Sequence, residues 1–238
     1  MKQRLDQTLV ARGVVSTRSQ ADSYIRLGQV LVNGKAVTKA GAQVGDEDVI
    51  KLTAEEQYVS RAALKLASVA DVLKLDFRDK VMLDVGSSTG GFTEYALKHG
   101  AAKVIAVEVG TDQLHPSLQA NPRIELHEKT DIRDFSTDQA IDLVVADVSF
   151  ISLREILPGV AKLCSRDTQL AIMVKPQFEA GQSKLKHKGV IKNDKMRRDI
   201  LKDFEDWARN LFVVIDKADS QVAGSKGNLE RFYLLKKL

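Results

Sequence analysis

The sequence predicts an α/β protein with a doubly wound, largely parallel sheet and a small N-terminal α+β module. Two observations lead to this prediction. After about residue 60, apolar strand-like runs alternate with helical stretches, which is typical of a parallel sheet with helices on both faces. The residues before that point show two short helical patterns followed by a hairpin signal.

The composition excludes several classes of protein. With 238 residues, 44% of them hydrophobic, the chain is long enough for one sizeable core and a small extra module. No apolar run reaches the roughly 18 residues of a membrane span, and the start MKQRLDQTLV lacks the apolar stretch of a secretory signal. Cys164 is the only cysteine and the four histidines are scattered, so we expect no disulfide and no metal. We therefore expect a cytoplasmic protein without a membrane partner, and the oligomeric state stays open.

The N-terminal module begins with two predicted helices. RLDQTLVARG has apolar residues at helical spacing and ends near Gly13, and SQADSYIRLG follows a capping Ser or Thr and ends at Gly28. QVLVNGKAV then predicts two strands joined by an Asn-Gly turn, and VIKL predicts a further strand. We assign residues 1–55 to this module and residues 59–238 to the second domain.

Positive charge is concentrated in two segments, the N-terminal module and the stretch after VKPQFE. Such clusters suit a polyanion, because Lys and Arg that neutralise phosphates release counterions. A solvated surface of a basic protein is the alternative for either cluster. The candidate RNA-binding residues are Arg4, Arg12, Arg18, Arg26, Lys35, Lys184, Lys186 and Lys188.

Seven apolar runs are the strand candidates of the second domain. They are KVMLDVG, KVIAVEVG, RIELHE, DLVVADVSF, TQLAIMVKP, LFVVIDKAD and RFYLLKK. In sheets of this kind, ligands bind at the carboxyl ends of the strands.

A turn of small residues follows the first of these strands, in LDVGSSTGGF, and Phe92 is predicted to start the next helix. Its backbone N–H groups can approach a ligand closely. The G-x-G-x-x-G fingerprint of dinucleotide sites is matched imperfectly, whereas an acidic residue followed by Gly-x-small-x-Gly, as in S-adenosylmethionine sites, is matched better. Asp84 would meet the ammonium group of that cofactor, Glu108 its ribose hydroxyls and Asp131 its adenine amino group. The candidate cofactor-binding residues are Asp84, Gly86, Ser88, Gly90, Gly91, Phe92, Glu108, Asp131 and Asp147.

These motifs together resemble a known family. The stretches YVSRAALKL, DVGSSTGGFTE, VGTDQLHPSL, DLVVADVSFISL, VKPQFE and GNLERF are similar to those of the TlyA family, also called hemolysin A. The resemblance implies an FtsJ-like ribosomal RNA 2′-O-methyltransferase domain with a Rossmann-like class I methyltransferase sheet. The stretches STRSQA and VLVNGK resemble the S-four-like RNA-binding module, named after a ribosomal small-subunit protein. The family further implies a cytidine ribose of ribosomal RNA or of a ribosomal subunit as substrate.

The resemblance also implies a catalytic set of Lys65, Asp147, Lys175 and Glu230. A ribose 2′-hydroxyl must lose or share its proton during methyl transfer, and Lys175 is the candidate base. Burial and the second cation, Lys65, would favour its neutral form. Asp147 would hold Lys175, and Glu230 would position the lysine pair or the sugar. The alternatives are solvent-exposed lysines and, for Asp147, a helix cap before ISLREIL.

Three other functions remain open. The name hemolysin suggests a membrane-active protein, although no span or strongly amphipathic apolar face is visible. An RNA-binding protein with an inactive methyltransferase domain is the second alternative, and a nicotinamide-dependent oxidoreductase is the third. From the compact form of the chain we expect a preference for large-subunit RNA.

Overall fold

The computed structural model describes residues 2–54, 57–180, 189–191, 193–224 and 226–238. The α/β fold class is confirmed, with a mostly parallel sheet preceded by a small α+β domain. Lys184, Lys186 and Lys188, predicted to bind RNA, lie outside the described residues.

The N-terminal domain contains two helices and five short strands. In chain order these elements are β1 Gln3–Arg4, α1 Leu5–Ala11, α2 Arg18–Arg26, β2 Val30–Val32, β3 Lys35–Ala36, β4 Gln43–Val44 and β5 Ile50–Leu52. The strands form an antiparallel sheet in the order β3-β2-β5 and a separate antiparallel β1–β4 pair.

Local chemistry explains the helix and turn positions in this domain. Thr17 and Gln20 form a capping box at the start of α2, in which each side chain accepts a backbone N–H of the other residue. Asn33 and Gly34, between β2 and β3, both have positive φ, as a two-residue hairpin turn requires. The β1–β4 pair was not predicted, because strands of two residues are too short to show alternation.

The second domain contains seven strands and six helices among its described residues. They are α3 Arg61–Ala70, β6 Val81–Val85, α4 Gly91–Lys98, β7 Lys103–Val107, α5 Pro116–Gln119, β8 Ile124–His127, β9 Leu143–Ala146, α6 Leu153–Leu163, β10 Gln169–Val174, α7 Pro176–Glu179, α8 Asp194–Ala208, β11 Phe212–Asp219 and β12 Arg231–Lys237. All seven predicted strands are present.

The seven strands form one sheet in the order β11-β12-β10-β9-β6-β7-β8. The five strands from β10 to β8 are parallel, and β12 runs antiparallel to both of its neighbours. The carboxyl ends of the parallel strands therefore lie at the same edge as the amino end of β12. This edge carries the candidate site.

Two apolar layers cover the faces of the sheet. One layer includes Met82, Val145 and Met173 together with residues of α3 and α4, and it continues into the N-terminal domain through Leu9 and Ile25. The other layer packs α6 and α8 against the opposite face. The strands alternate between these layers, so both of their faces are apolar, as expected for parallel strands.

Residues 57–60 join the N-terminal domain to helix α4. Gln20 Nε2 donates to the carbonyl oxygen of Tyr58 at 2.7 Å, and a carboxylate oxygen of Glu94 accepts the N–H of Val59 at 2.5 Å. A Cβ at Gly91 would lie only 2.2 Å from Ser60 Oγ, so the glycine permits this close approach. The domain limits 1–55 and 59–238 stay a prediction, since the hydrophobic contacts continue across them.

Candidate active site

The small-residue turn after β6 adopts backbone conformations that favour glycine. Gly86 and Gly90 have φ of 79° and 85°, and Ser88 between them has φ of 47°. A Cβ at Gly86 would lie 3.2 Å from the carbonyl oxygen of Asp147, so this position is also sterically tight. Helix α4 begins at Gly91, one residue earlier than predicted, because Gly90 serves as its N-cap.

A cavity of about 470 Å³ opens beside this turn, at the ends of β6, β7 and β9. Its lining includes the predicted residues Gly86, Ser88, Glu108, Asp131 and Asp147. Its size and its mixture of apolar and carboxylate groups suit a nucleoside.

The two carboxylates on the β7 and β8 side of this cavity have protein partners. Glu108 accepts the N–H groups of Ser88 at 2.9 Å and Gly110 at 2.8 Å, so it holds the turn in addition to facing the cavity. Asp131 accepts two hydrogen bonds from the Arg133 guanidinium, which lower the pKa of this carboxyl. The lowered pKa favours the charged form of Asp131 at the wall of the cavity.

A second, smaller cavity of about 140 Å³ continues from the first and reaches Asp84, Ser87, Phe92 and Lys175. Gly86, Ser88, Asp147 and Ser149 line both cavities. The arrangement provides space for a nucleoside in one part and for a small polar group in the other.

Asp84 is the strongest electrostatic feature of the smaller cavity. It is 1% exposed, and Oδ2 accepts the hydroxyl of Thr93 at 2.7 Å, while Oδ1 is buried without a hydrogen-bond partner. Burial raises the pKa of Asp84 to about 7, and the charges of Asp147 and Glu108 add to this effect. A buried carboxylate without a cation suits a positively charged ligand group, such as an ammonium.

Two lysine–carboxylate pairs complete the site. Lys175 Nζ lies 2.5 Å from Asp147 Oδ1, and Lys65 Nζ lies 2.5 Å from Glu230 Oε2. Val174 is paired with Arg231 in the β10–β12 ladder, so the next residues outward, Lys175 and Glu230, are neighbours at the strand ends. The structure thus brings the four predicted catalytic residues to one edge of the sheet.

The structure argues against the two alternatives of solvent-exposed lysines and of a helix cap at Asp147. Lys65 and Lys175 are 6% and 8% exposed, so neither is a solvated surface lysine. The N-cap of α6 is Ser152, whose side chain accepts the N–H of Arg154, and Asp147 has no part in that cap.

The predicted RNA-binding residues of the N-terminal domain have distinct environments. Arg4 and Arg18 both donate to Asp6; burial alone raises the pKa of Asp6, but these hydrogen bonds outweigh it and lower the pKa to about 2. Arg12 donates to three backbone carbonyls in the loop before β5. Arg26 pairs with Asp22. Lys35 is exposed at the hairpin.

Three residues of the site were not predicted. Thr93 hydrogen-bonds Asp84, and Ser149 accepts a hydrogen bond from Lys175 Nζ at 2.8 Å. Phe150 is 92% exposed with φ of 66°, a conformation uncommon for a bulky residue, and its ring lies 5.3 Å from that of Phe178. In the sequence, these three residues are marked only by their short distance along the chain from Asp84 or Asp147. That spacing does not reveal which side chains are in contact.

Within the described ranges, no helix is long and apolar enough to cross a membrane. The same residues contain no group of three or more His, Cys, Asp or Glu side chains arranged to hold a metal ion.

Comparison with known proteins relates both domains to established families. The model of the FtsJ-like methyltransferase family matches residues 58–237, and that of the S4 domain matches residues 3–50. The 16S/23S rRNA (cytidine-2′-O)-methyltransferase TlyA of Mycobacterium tuberculosis is 35% identical over 98% of this chain and 89% of its own length. The 23S rRNA (cytidine-2′-O)-methyltransferase TlyA of Campylobacter jejuni is 36% identical over 94% of this chain and 96% of its own. A solved structure described as a hemolysin from Streptococcus thermophilus superposes with a TM-score of 0.74 at 35% identity, covering 99% of this chain and 88% of that one.

Breaking the Lys65–Glu230 pair is expected to destabilise the protein strongly. Lys65→Met or Glu230→Gln leaves a buried group without its partner and should reduce the free energy of unfolding by about 3–5 kcal/mol. The double variant Lys65→Met/Glu230→Leu should lose far less than the sum of the two single losses. Urea unfolding at neutral pH measures all three; simple additivity would contradict the pairing.

Asp84→Asn is expected to stabilise the ligand-free protein in a pH-dependent way. The folded-state pKa, about 7, lies above the ordinary value of 3.8, so the folded protein keeps a proton that the unfolded chain loses between these pH values. The contribution of Asp84 to stability therefore falls as the pH rises from about 4 to 7. The free energy of unfolding of the Asn variant, relative to the wild type, should increase over this pH range by up to about 4 kcal/mol and then stay constant at higher pH. Thermal unfolding of both proteins from pH 5 to pH 8 tests this, and a constant difference would contradict it.

Proposed function

Since this chain belongs to the FtsJ-like methyltransferase family and carries an N-terminal S4 domain, we propose that it methylates a ribose 2′-hydroxyl of a cytidine in ribosomal RNA. The Lys175–Asp147 pair, which lies where the two cavities meet, is the observation that supports this most strongly. The relatives from Mycobacterium tuberculosis and Campylobacter jejuni are both named rRNA cytidine-2′-O-methyltransferases.

The cofactor proposed for this site is S-adenosylmethionine, which supplies an activated methyl group. The unpartnered Oδ1 of Asp84 provides a buried acceptor for its ammonium group. Glu108 and Asp131 line the larger cavity, where they would accept hydrogen bonds from the ribose hydroxyls and the adenine amino group. The glycine turn contributes backbone N–H groups without side-chain bulk. The remaining proposed cofactor residues, Ser88, Gly90, Gly91, Phe92 and Asp147, belong to this turn or to the junction of the cavities.

Lys175 would remove the proton of the acceptor hydroxyl. An amine accepts a proton only when neutral, and Lys175 is 8% exposed, at the wall of the smaller cavity. Asp147 lies 2.5 Å from Nζ and fixes its position at the junction of the cavities. Glu230 lies next to Lys175, immediately before the neighbouring strand. It would neutralise the charge of Lys65 and hold that side chain in place.

The S4 domain would hold the RNA. Positive charge for backbone phosphates would come from the exposed side chains Arg4, Arg12, Arg18, Arg26 and Lys35. The four arginines also hold contacts within the domain. Its contacts with Tyr58 and α4 connect it to the domain that carries the site. We propose ribosomal RNA or a ribosomal subunit as the partner and the cytoplasm as the location.

The other functions have less support. One similar solved structure is described as a hemolysin. Within the described residues of this chain, no helix is long and apolar enough to cross a membrane. An inactive methyltransferase domain would not need two buried lysine–carboxylate pairs, which are costly to bury. A nicotinamide dinucleotide would place its pyrophosphate near the carboxylate of Asp84, which disfavours an anion.

A methyl-transfer assay tests the proposal. The purified protein is incubated with methyl-labelled S-adenosylmethionine and separated small subunits, large subunits or naked ribosomal RNA from a strain lacking the modification. We expect label on the 2′-oxygen of a cytidine, and Lys175→Ala should slow transfer roughly 10²- to 10⁴-fold because the base is lost. The control, Lys162→Ala, removes an exposed lysine of α6 and should keep the full rate.

Each alternative predicts a different result. Cofactor binding without any labelled RNA would favour the inactive RNA-binding protein. Lysis of red cells without a methyl donor would favour the membrane-active protein. Calorimetric binding of NAD in place of S-adenosylmethionine would favour the oxidoreductase, and full activity of Lys175→Ala would remove Lys175 as the base.

Single cations of the S4 domain are expected to contribute to RNA affinity through phosphate neutralisation. Lys35→Ala and Arg26→Ala should each weaken RNA binding and reduce the slope of log K against log salt by about one. Lys162→Ala again serves as the matched control. Filter binding of ribosomal RNA fragments at several salt concentrations measures the slopes; unchanged slopes would place the RNA elsewhere on the protein.

A further inference from the structure

Ser149 occupies the junction of the two cavities, two residues after Asp147. Its side chain lines both cavities, and Oγ accepts a hydrogen bond from Lys175 Nζ at 2.8 Å. The same Nζ lies 2.5 Å from Asp147 Oδ1. One short segment after β9 therefore provides two oxygen atoms to the lysine side chain.

Two acceptors control the direction of the lone pair on a neutral amine. Such an amine has two N–H bonds and one lone pair in a tetrahedral arrangement, and it acts as a base only along the lone pair. When Ser149 accepts one N–H and the carboxylate of Asp147, 2.5 Å from Nζ, attracts the other, the lone pair must occupy the remaining direction. With Asp147 alone, rotation about the Cε–Nζ bond exchanges the second N–H with the lone pair.

We propose that Ser149 is a positioning residue that, together with Asp147, orients Lys175 toward the acceptor hydroxyl. This inference rests on the proposed function and adds a residue to its machinery. It does not require Ser149 to touch the reacting atoms, because the hydroxyl acts through Lys175.

The other groups around Lys175 do not substitute for this hydroxyl. Among the described side chains, the carboxylate of Glu230 is paired with Lys65. Asp84 reaches the same small cavity as Lys175, but it forms no ion pair or hydrogen bond with Nζ. The Phe178 ring centroid lies 6.0 Å from Nζ and provides no oxygen. Removal of the Ser149 hydroxyl would therefore leave Asp147 as the oxygen partner of Nζ within the described part of the chain.

The protonation of Lys175 provides a readout that a purely structural role would not change. Because the Ser149 hydroxyl accepts a hydrogen bond from the ammonium form, it stabilises that form. Its removal should move the acidic limb of the pH–rate profile toward lower pH, by roughly half a unit for a hydrogen bond of ordinary strength. Loss of orientation should slow the reaction at the same time, by roughly three- to tenfold.

The test compares Ser149→Ala and Ser149→Thr with the wild-type protein. Single-turnover methyl transfer at saturating cofactor is measured from pH 6 to pH 9 on the ribosomal substrate that the wild type labels. We expect Ser149→Ala to be slower and its acidic limb to move to lower pH, with the Michaelis constant for RNA unchanged. Ser149→Thr should restore both values because it keeps the hydroxyl. Ser136→Ala, which alters an exposed serine between β8 and β9, is the control.

A second measurement does not depend on activity. Competitive labelling of the full-length protein with acetic anhydride, followed by peptide mass spectrometry, reports the neutral fraction of Lys175 at each pH. The labelling midpoint should move to lower pH in Ser149→Ala and return in Ser149→Thr.

The possible results separate the two hypotheses. Wild-type rate and an unmoved pH profile in Ser149→Ala would overturn the role of Ser149, as would a slow variant that Thr does not rescue. A wild-type protein that transfers no methyl group would instead contradict the proposed function, and the labelling would still decide whether Ser149 holds Lys175.

Discussion

The charges buried at the carboxyl edge of the sheet form the constraint on which the site depends. A lysine or carboxylate removed from water requires a partner, and both buried lysines of the candidate site have one: Lys175 with Asp147 and Lys65 with Glu230. The second pair joins helix α3 to the segment before β12, which are far apart in the chain. The pairs therefore form only when α3 has packed against the sheet and the adjacent strands β9, β10 and β12 have aligned.

Asp84 departs from this pattern in an informative way. It is more deeply buried than either lysine, yet no Lys or Arg of the described residues forms an ion pair with it, and burial raises its pKa. A folded protein retains such an unfavourable group where a ligand compensates for it, and the neighbouring glycine turn and nucleoside-sized cavity suit the same ligand. If S-adenosylmethionine is the cofactor, as we propose, its ammonium group would offset this cost and the site would select a cationic ligand.

The connection between the domains places RNA binding and chemistry in one framework. The apolar layer under α3 and α4 continues into the S4 domain, and residues 57–60 contact both α2 and α4. Helix α4 begins at the glycine turn, so the contacts of Ser60 and Glu94 lie next to the proposed cofactor site. RNA held by exposed cations of the N-terminal domain would thus be presented by a packed interface and not by a loose linker.

The sequence alone determined the seven strands, the two helices and hairpin of the N-terminal domain and the position of the glycine turn, because these depend on local periodicity and turn chemistry. Its motifs also led to Lys65, Asp147, Lys175 and Glu230 through a family resemblance. The resemblance implied that Asp147 holds Lys175, but only the tertiary structure decided that Glu230 pairs with Lys65, since helix α3 and the residues before β12 meet only in the folded chain. The roles of Thr93, Ser149 and Arg12 likewise appeared only in the structure. A hydrogen bond between side chains depends on distances in space that spacing along the chain does not encode.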